Sequence, residues 1–368
     1  MDIRTKIQLQ TTTILVTNNF SKTIVVVAPR VGKSKAVIDA LRVSGIDTSK
    51  VLITAPYISI LNSWKQEFEK WNFDFKGKLT TNVSIKNRST EEYTHVIVDE
   101  IQELSPANIQ ELKKFRNVCG ITGTLSNSNR QTLRQELGLQ VRYEYTLANA
   151  IDDNIVADYD IEVIWCELDN TIPIIPIKVG NVTKNMTELQ AYSYYTGQFN
   201  KFKMLEYGTP YFRKIKNIWA NRRANFLYNL PTKQRIAENI VANTDERLLI
   251  FTQSQKMADV LCEHSYHSTS KKLDNLTKFC NGNIDKLSVC AMTNMGITIK
   301  DLNHALVVQL QSDSDTAVQR ICRMLNDTTK VGIIKILCCK QTQDELWLKS
   351  ALSTFNQLKI KETTWTIA

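Results

Sequence analysis

An α/β fold built as two lobes, each around a mainly parallel sheet, is what this 368-residue sequence predicts. Three observations carry the expectation. Nine apolar runs of strand length alternate with helix-like stretches through most of the chain. The runs are continuous, as in "TIVVV" and "LLIFT", which marks strands buried on both faces of a parallel sheet. Nine such strands exceed what one small layered unit needs, so two units in succession is the economical arrangement.

In the first lobe, expected over 1–150, strands are read at 24–27, 51–54, 95–98 and 118–121, with helical patterns at 34–42, 61–71 and 108–115. The polar stretch 151–160 has little periodicity and is the expected linker. The second lobe, 161–368, has strands at 161–165, 248–252, 287–292, 305–309 and 332–338. Residues 186–228 break the alternation. They are helix-like, aromatic and basic, with "RKIKNIWANRR" at their heart, and read as a helical insertion. Trp64, Trp71 and Trp347 stand isolated and are expected in the core.

The formal net charge is +9, which favours a polyanionic partner. Eight cysteines without C-x-x-C pairing and four histidines without ligand spacing argue for reduced thiols in a cytoplasmic protein and against a structural metal. No apolar run approaches membrane-spanning length, and the N-terminus lacks the shape of a signal peptide. No membrane partner is expected.

The stretch "VAPRVGKS" follows the first strand and precedes the first predicted helix. Strand, tight loop and helix N-terminus form a phosphate cradle, because loop N–H groups and the helix dipole face the anion. Arg30, Val31, Gly32, Lys33 and Ser34 are the candidate ATP contacts. Lys33 would reach the β- and γ-phosphates, and the Ser34 hydroxyl would bind Mg²⁺. The loop departs from the usual G-x-x-x-x-G-K-[ST] pattern: Val27 holds the first glycine position and Arg30 the centre. The competing reading is an ordinary turn with a surface lysine.

Asp99 and Glu100 follow the strand "HVIV" directly, at the end where open α/β sheets bind ligands. Asp99 would hold Mg²⁺, and Glu100 would orient and deprotonate an attacking water. In "ITGTL", Thr122 and Thr124 are candidates for coupling the nucleotide site to a groove; a T-G-T turn is otherwise only a turn.

In this order the pieces resemble superfamily 2 helicases and translocases over nearly the whole chain. Motif I looks like "APRVGKS", Ia like "ITAPYISILNSW", II is "DEIQ" and III is "TGT". Motif IV looks like "LLIFTQS", V like "AMTNMGITI" and VI like "QRICR". Residues 143–161 are similar to the passage between lobes in the branch holding phage DNA helicases and type III restriction motor subunits.

The resemblance implies two RecA-like lobes, ATP with Mg²⁺, and a DNA strand, forked or duplex DNA as substrate. It also implies a phage setting and partners in replication or recombination. It gives Arg323 the arginine-finger role, with Gln319 and Arg320 beside it; Asn326 and Cys322 replace an arginine and a glycine usual in motif VI. Gln8 stands where the family places an adenine-reading glutamine, with Gln10 a close competitor. Thr298 holds a motif V position near the nucleotide. The chain begins so near the loop that no N-terminal accessory domain is expected.

Strand contacts are expected at Pro56, Tyr57, Thr81, Gln253, Ser254, Thr293 and Gly296, through hydroxyls and amides that grip phosphates without reading sequence. In the insertion, Arg213, Lys214, Lys216, Arg222 and Arg223, interleaved with Tyr211, Phe212 and Trp219, could contact the backbone or stack on a base; a solvated basic face over an aromatic core explains them equally well. The leading expectation is an ATP-dependent DNA helicase or translocase. The alternatives are an RNA helicase and a weakly hydrolysing nucleic-acid clamp.

Overall fold

A computed structural model of the chain describes residues 1–205, 209–269, 273–290, 299, 302–311, 328–353 and 355–365. Residues 1–158 gather into one compact unit, and most of the described remainder, from Tyr159 onward, into a second.

In the first unit, strands β1 (Thr23–Val27), β2 (Val51–Ala55), β3 (Lys78–Thr81), β4 (His95–Asp99), β5 (Asn117–Thr122) and β6 (Gln140–Tyr145) form a sheet in the order β3-β2-β4-β5-β1-β6. Every pairing is parallel. Helices α1 (Ile3–Thr17), α2 (Lys33–Ser44), α3 (Ile58–Lys70), α4 (Pro106–Leu112), α5 (Asn127–Leu137) and α6 (Leu147–Asp152) complete the layers. All residues of β1, β2 and β4 are buried, as covered parallel strands require.

β4, β5 and β1 are neighbours, and their carboxyl ends are level: Asp99 pairs with Ile121, and Thr122 with Val26. That register brings the phosphate-loop candidate, the acid pair and the T-G-T turn to one edge of the sheet. Helix α1 has no counterpart among the helical patterns read from the sequence. It starts at Asp2, whose carboxylate accepts the Thr5 N–H. It packs on α2, where the Thr12 hydroxyl donates to the Ala36 carbonyl at 3.0 Å.

The second unit holds β7 (Tyr159–Cys166), β8 (Ile175–Val179), β9 (Val182–Met186), β10 (Leu248–Thr252), β11 (Ser265–Tyr266), β12 (Lys286–Cys290), β13 (His304–Val307), β14 (Gly332–Cys339) and β15 (Ile360–Thr364). Seven of these form a second parallel sheet, β11-β12-β10-β13-β14-β7-β15. Ile164, Ile250, Leu306 and Leu337 belong to its core. Its helices among the described residues are α7 (Glu188–Leu205), α8 (Pro210–Tyr228), α9 (Pro231–Ala242), α10 (Gln255–Leu261), α11 (Leu273–Cys280) and α12 (Gln343–Leu352).

The expected insertion is helices α7 and α8, preceded by an unexpected antiparallel hairpin of β8 and β9. Its two-residue turn starts at Gly180, whose φ of +62° a side chain would strain.

Candidate functional site: a phosphate loop beside an acid pair

The phosphate loop leaves β1 with the Ala28 N–H pinned to the Tyr145 carbonyl at 2.8 Å. Arg30 and Gly32 take left-handed backbone, at φ +72° and +97°. Gly32 is the N-cap of α2, and no side chain caps that helix, so its first-turn N–H groups face the loop. A Cβ on Gly32 would come within 2.3 Å of Gln8 Nε2. That same nitrogen donates to the Val31 carbonyl at 2.7 Å. Gln10 instead accepts the Tyr143 hydroxyl. The structure thus separates the two glutamines: Gln8 lies on the loop and Gln10 does not.

Lys33 Nζ lies 3.8 Å from Glu100 Oε1, and a Cβ on Gly123 would stand 3.1 Å from it. Asp99, at 7% exposure, accepts the Trp64 indole N–H on Oδ2 at 2.8 Å and the Glu100 N–H on Oδ1 at 2.9 Å. Burial, and next the charge of Glu100, push its carboxyl up to about 6, against the opposing pull of Lys33 and the two N–H donors. Glu100 has φ +50°, a conformation costing about 1 kcal/mol for a side-chain-bearing residue, of the kind found where a fold fixes a functional group.

Gln102 links the acid pair to the T-G-T turn. Its Nε2 donates to Glu100 Oε2 at 2.9 Å, and its Oε1 accepts the Thr122 hydroxyl at 2.5 Å. The Thr122 hydroxyl also lies 2.6 Å from the Thr124 carbonyl. The Thr124 hydroxyl is buried without a hydrogen-bond partner among the described residues.

A groove of about 1250 Å³ runs over the loop. Gln8, Arg30, Gly32, Lys33 and Ser34 line it, as do Arg4, Lys35 and Trp71. Trp71 is therefore not the core residue expected of it. It is half-buried, donates to Glu67, and lies under the Lys35 and Lys70 ammonium groups. Trp64 is buried as expected, with its N–H spent on Asp99. Trp347 is core. Sequence reasoning gave Gln102 and Trp64 no role in the site, although both stand inside quoted motifs.

Pro56 and Tyr57 follow β2, with Tyr57 as the N-cap of α3, and Thr81 ends β3 with its hydroxyl on Ser84. In the second unit, Gln253 and Ser254 follow β10. The Gln253 N–H donates to Gln309 Oε1, and the Ser254 hydroxyl to Asn229 Oδ1 at 2.6 Å. Arg222 is exposed over the Trp219 ring, whereas Arg223 lies over Phe199 and bonds Gln343. Thr293, Gly296, Thr298, Gln319, Arg320, Arg323 and Asn326 lie outside the described residues.

The residues present fit a magnesium nucleotide. An uncapped helix N-terminus and a glycine cradle suit phosphate, while Ser34 and the buried Asp99 carboxylate offer the hard oxygen donors magnesium takes.

Residues 232–326 match the helicase conserved C-terminal domain. S. cerevisiae Dbp5 bound to RNA and ADP BeF3 is similar over 98% of this chain and 89% of that one, at 12% identity and a TM-score of 0.59. A variant of the same protein, in the same bound state, gives 0.56. The Pyrococcus furiosus Hef helicase domain is similar over 95% of this chain and 100% of that one, at 14% identity and a TM-score of 0.48. No curated protein matches the sequence. The chain shares the fold of the Dbp5 structures, two lobes each built on a mainly parallel sheet. The matched helicase domain supports nucleotide hydrolysis.

Proposed function

We propose that the chain is an ATP-dependent nucleic-acid helicase or translocase. The observation that carries the reading is the gathering of Lys33, Asp99, Glu100 and the Gln102–Thr122 link at the level ends of three adjacent strands. The α2 N–H groups and Lys33 bind the phosphates. Ser34 and Asp99 hold magnesium, which when bound neutralises phosphate charge. Glu100 takes the proton of the attacking water. Gln8 fixes the loop and reads the base. Arg323, with Gln319 and Arg320, keeps the finger role the resemblance implies, and Thr298 stays a nucleotide contact. Pro56, Tyr57, Thr81, Gln253, Ser254, Thr293, Gly296, Arg222 and Arg223 stay the strand contacts. With the reading go the lobe limits 1–150 and 161–368 and a cytoplasmic setting.

Two strand chemistries compete. The fold likeness to an RNA-bound Dbp5 supports RNA. The likeness of 143–161 to the phage and restriction-motor branch supports DNA, with a phage setting and replication or recombination partners. Turnover measured with RNA, single-stranded DNA, duplex and forked oligomers decides between them. Nucleic acid should stimulate hydrolysis, and Glu100→Gln should lower it about 100-fold or more. Undiminished turnover in that variant rejects the site.

A further inference from the structure

The hairpin and the two insertion helices line a second cavity, of about 680 Å³, outside the helicase motifs but including Trp219 and Arg222 of the basic, aromatic stretch 213–223. That volume falls within the range of about 300–1,000 Å³ usual for a site holding one small molecule. Ile177 and Lys178 come from β8, Tyr194 and Tyr195 from α7, and Trp219 and Arg222 from α8. Trp219, Arg222 and Phe226 share one face of α8 by their spacing of three and seven.

The lining is aromatic and cationic together. The Trp219 ring meets Tyr194 edge-on, with centroids 5.9 Å apart, and Tyr195 at a tilt of 48°. Tyr194, Tyr195 and Trp219 are all half-buried and line the cavity, so part of each ring is open to a guest. The Arg222 guanidinium lies 4.6 Å from the Trp219 centroid, and both Arg222 and Lys178 are exposed at the rim.

Charge points to the class of guest. Residues 175–228 hold nine Lys and Arg against two acidic residues, a net +7 within a chain of +9. One of the two acids, Glu188, is buried and spent on Thr232. Flat faces surrounded by cations suit a stacked base flanked by phosphates. The pocket is also tied to the motif IV turn. At the end of α8, the Tyr228 carbonyl accepts Gln309 Nε2, whose other end accepts the Gln253 N–H, while Asn229 accepts the Ser254 hydroxyl. Trp219 stands ten residues before Asn229, about 15 Å along the helix.

We propose that this pocket takes an unpaired nucleobase of the bound strand, stacked on Tyr195 and Trp219, with Arg222 and Lys178 on the neighbouring phosphates. The inference rests on the reading of the chain as a nucleic-acid motor and adds a base-holding site outside the helicase motifs. A strand held there is held by an unpaired base, so single strands are preferred over duplex.

The test uses the full chain with 12-nucleotide oligomers, single-stranded and duplex, of DNA and RNA. Trp219→Ala should weaken single-strand affinity about ten- to a hundredfold and duplex affinity much less. Arg222→Glu, at an exposed position, should do the same without touching the fold, and carries the test if a thermal melt shows Trp219→Ala to be misfolded. Photocrosslinks from 5-iodouracil oligomers should map to Tyr194, Tyr195 or Trp219. If the unmodified protein binds single strands and both variants bind them equally well, the pocket proposal is overturned while the motor reading stands. Binding of a poly-glutamate peptide that needs Arg222, with strand affinity unchanged, also overturns it in favour of an acidic protein partner. If the unmodified protein binds no nucleic acid, the motor reading falls and this one with it.

Discussion

The side chain of Gln8 and the α-carbon of Gly32 compete for one space: Gln8 Nε2 donates to the Val31 carbonyl at 2.7 Å, and a Cβ on Gly32 would approach that nitrogen to 2.3 Å. Gly32→Ala should therefore cost twice, through a left-handed φ worth about 1–2 kcal/mol and through displacement of Gln8. The two changes share an atom, so they should not add. Nucleotide affinity and melting temperature of Gln8→Ala, Gly32→Ala and the double variant form the cycle, with an expected coupling of about 0.5–1.5 kcal/mol. Strict additivity would mean that Gln8 does not rest on the loop.

Asp99 carries a stability cost. Its carboxyl titrates near 6 in the fold against an ordinary aspartate value of 3.8. Between those values the folded chain holds a proton that the unfolded chain has released. Stability from this group is therefore greatest below about pH 4 and falls as pH rises through about 6. In EDTA at pH 7.5, Asp99→Asn should stabilise the protein by less than about 3 kcal/mol, because its one amide oxygen can serve only one of the Trp64 and Glu100 N–H donors, and should abolish magnesium-dependent turnover. Urea titrations should show the gain shrinking towards pH 4.5. A variant less stable at both pH values would contradict this account.

The nine strands legible in the sequence are the nine interior strands of the two sheets: β2, β4, β5 and β1 in one, β12, β10, β13, β14 and β7 in the other. The strands it concealed are the four sheet edges, β3, β6, β11 and β15, and the hairpin. An interior parallel strand is covered on both faces and must be apolar throughout. An edge such as "QVRYEY" or "IKETT" keeps polar residues in water and loses the signal. Helix α1 escaped for a related reason: two of its four buried residues are Thr11 and Thr12, not hydrophobic side chains. The loop and the acid pair were legible as polar breaks directly after apolar strands, and the structure places them at the carboxyl ends of β1 and β4, which flank β5. Trp71 was not, because an isolated tryptophan reads the same whether it faces a core or a groove.

Gln102 should couple strand binding to hydrolysis. The Thr122 hydroxyl has one proton and two acceptors in reach, Gln102 Oε1 and the Thr124 carbonyl, so it can satisfy only one at a time. Whichever it chooses, Gln102 either stays braced against Glu100 or is released. Gln102→Ala and Thr122→Val should each lower nucleic-acid stimulation of turnover by roughly 5- to 100-fold, leaving nucleotide affinity within about twofold. Stimulation unchanged in both variants would remove the link from the mechanism.

Lys233 and Asp344 form an ion pair at 0% and 1% exposure, joining the first turn of α9 to that of α12. Burial alone would discharge the lysine, but the Asp344 carboxylate against it outweighs that and raises the ammonium above its usual value. A lysine near a helix N-terminus opposes the helix dipole. Glu188 offsets this in part by accepting the Thr232 N–H and hydroxyl, which also ties α7 to the start of α9. Because the folded value is raised, this stabilisation is full below the unfolded lysine value and is lost only as pH rises through the folded one; it should be flat from about pH 6 to about 9. Lys233→Met leaves a buried carboxylate with no cation and should cost about 3–5 kcal/mol. Adding Asp344→Leu removes the stranded charge, so the double variant should recover most of that loss. Chemical denaturation of the three variants measures this. A double variant no more stable than Lys233→Met would show that the pair specifies the packing of α7, α9 and α12, not merely the neutralisation of one charge by another.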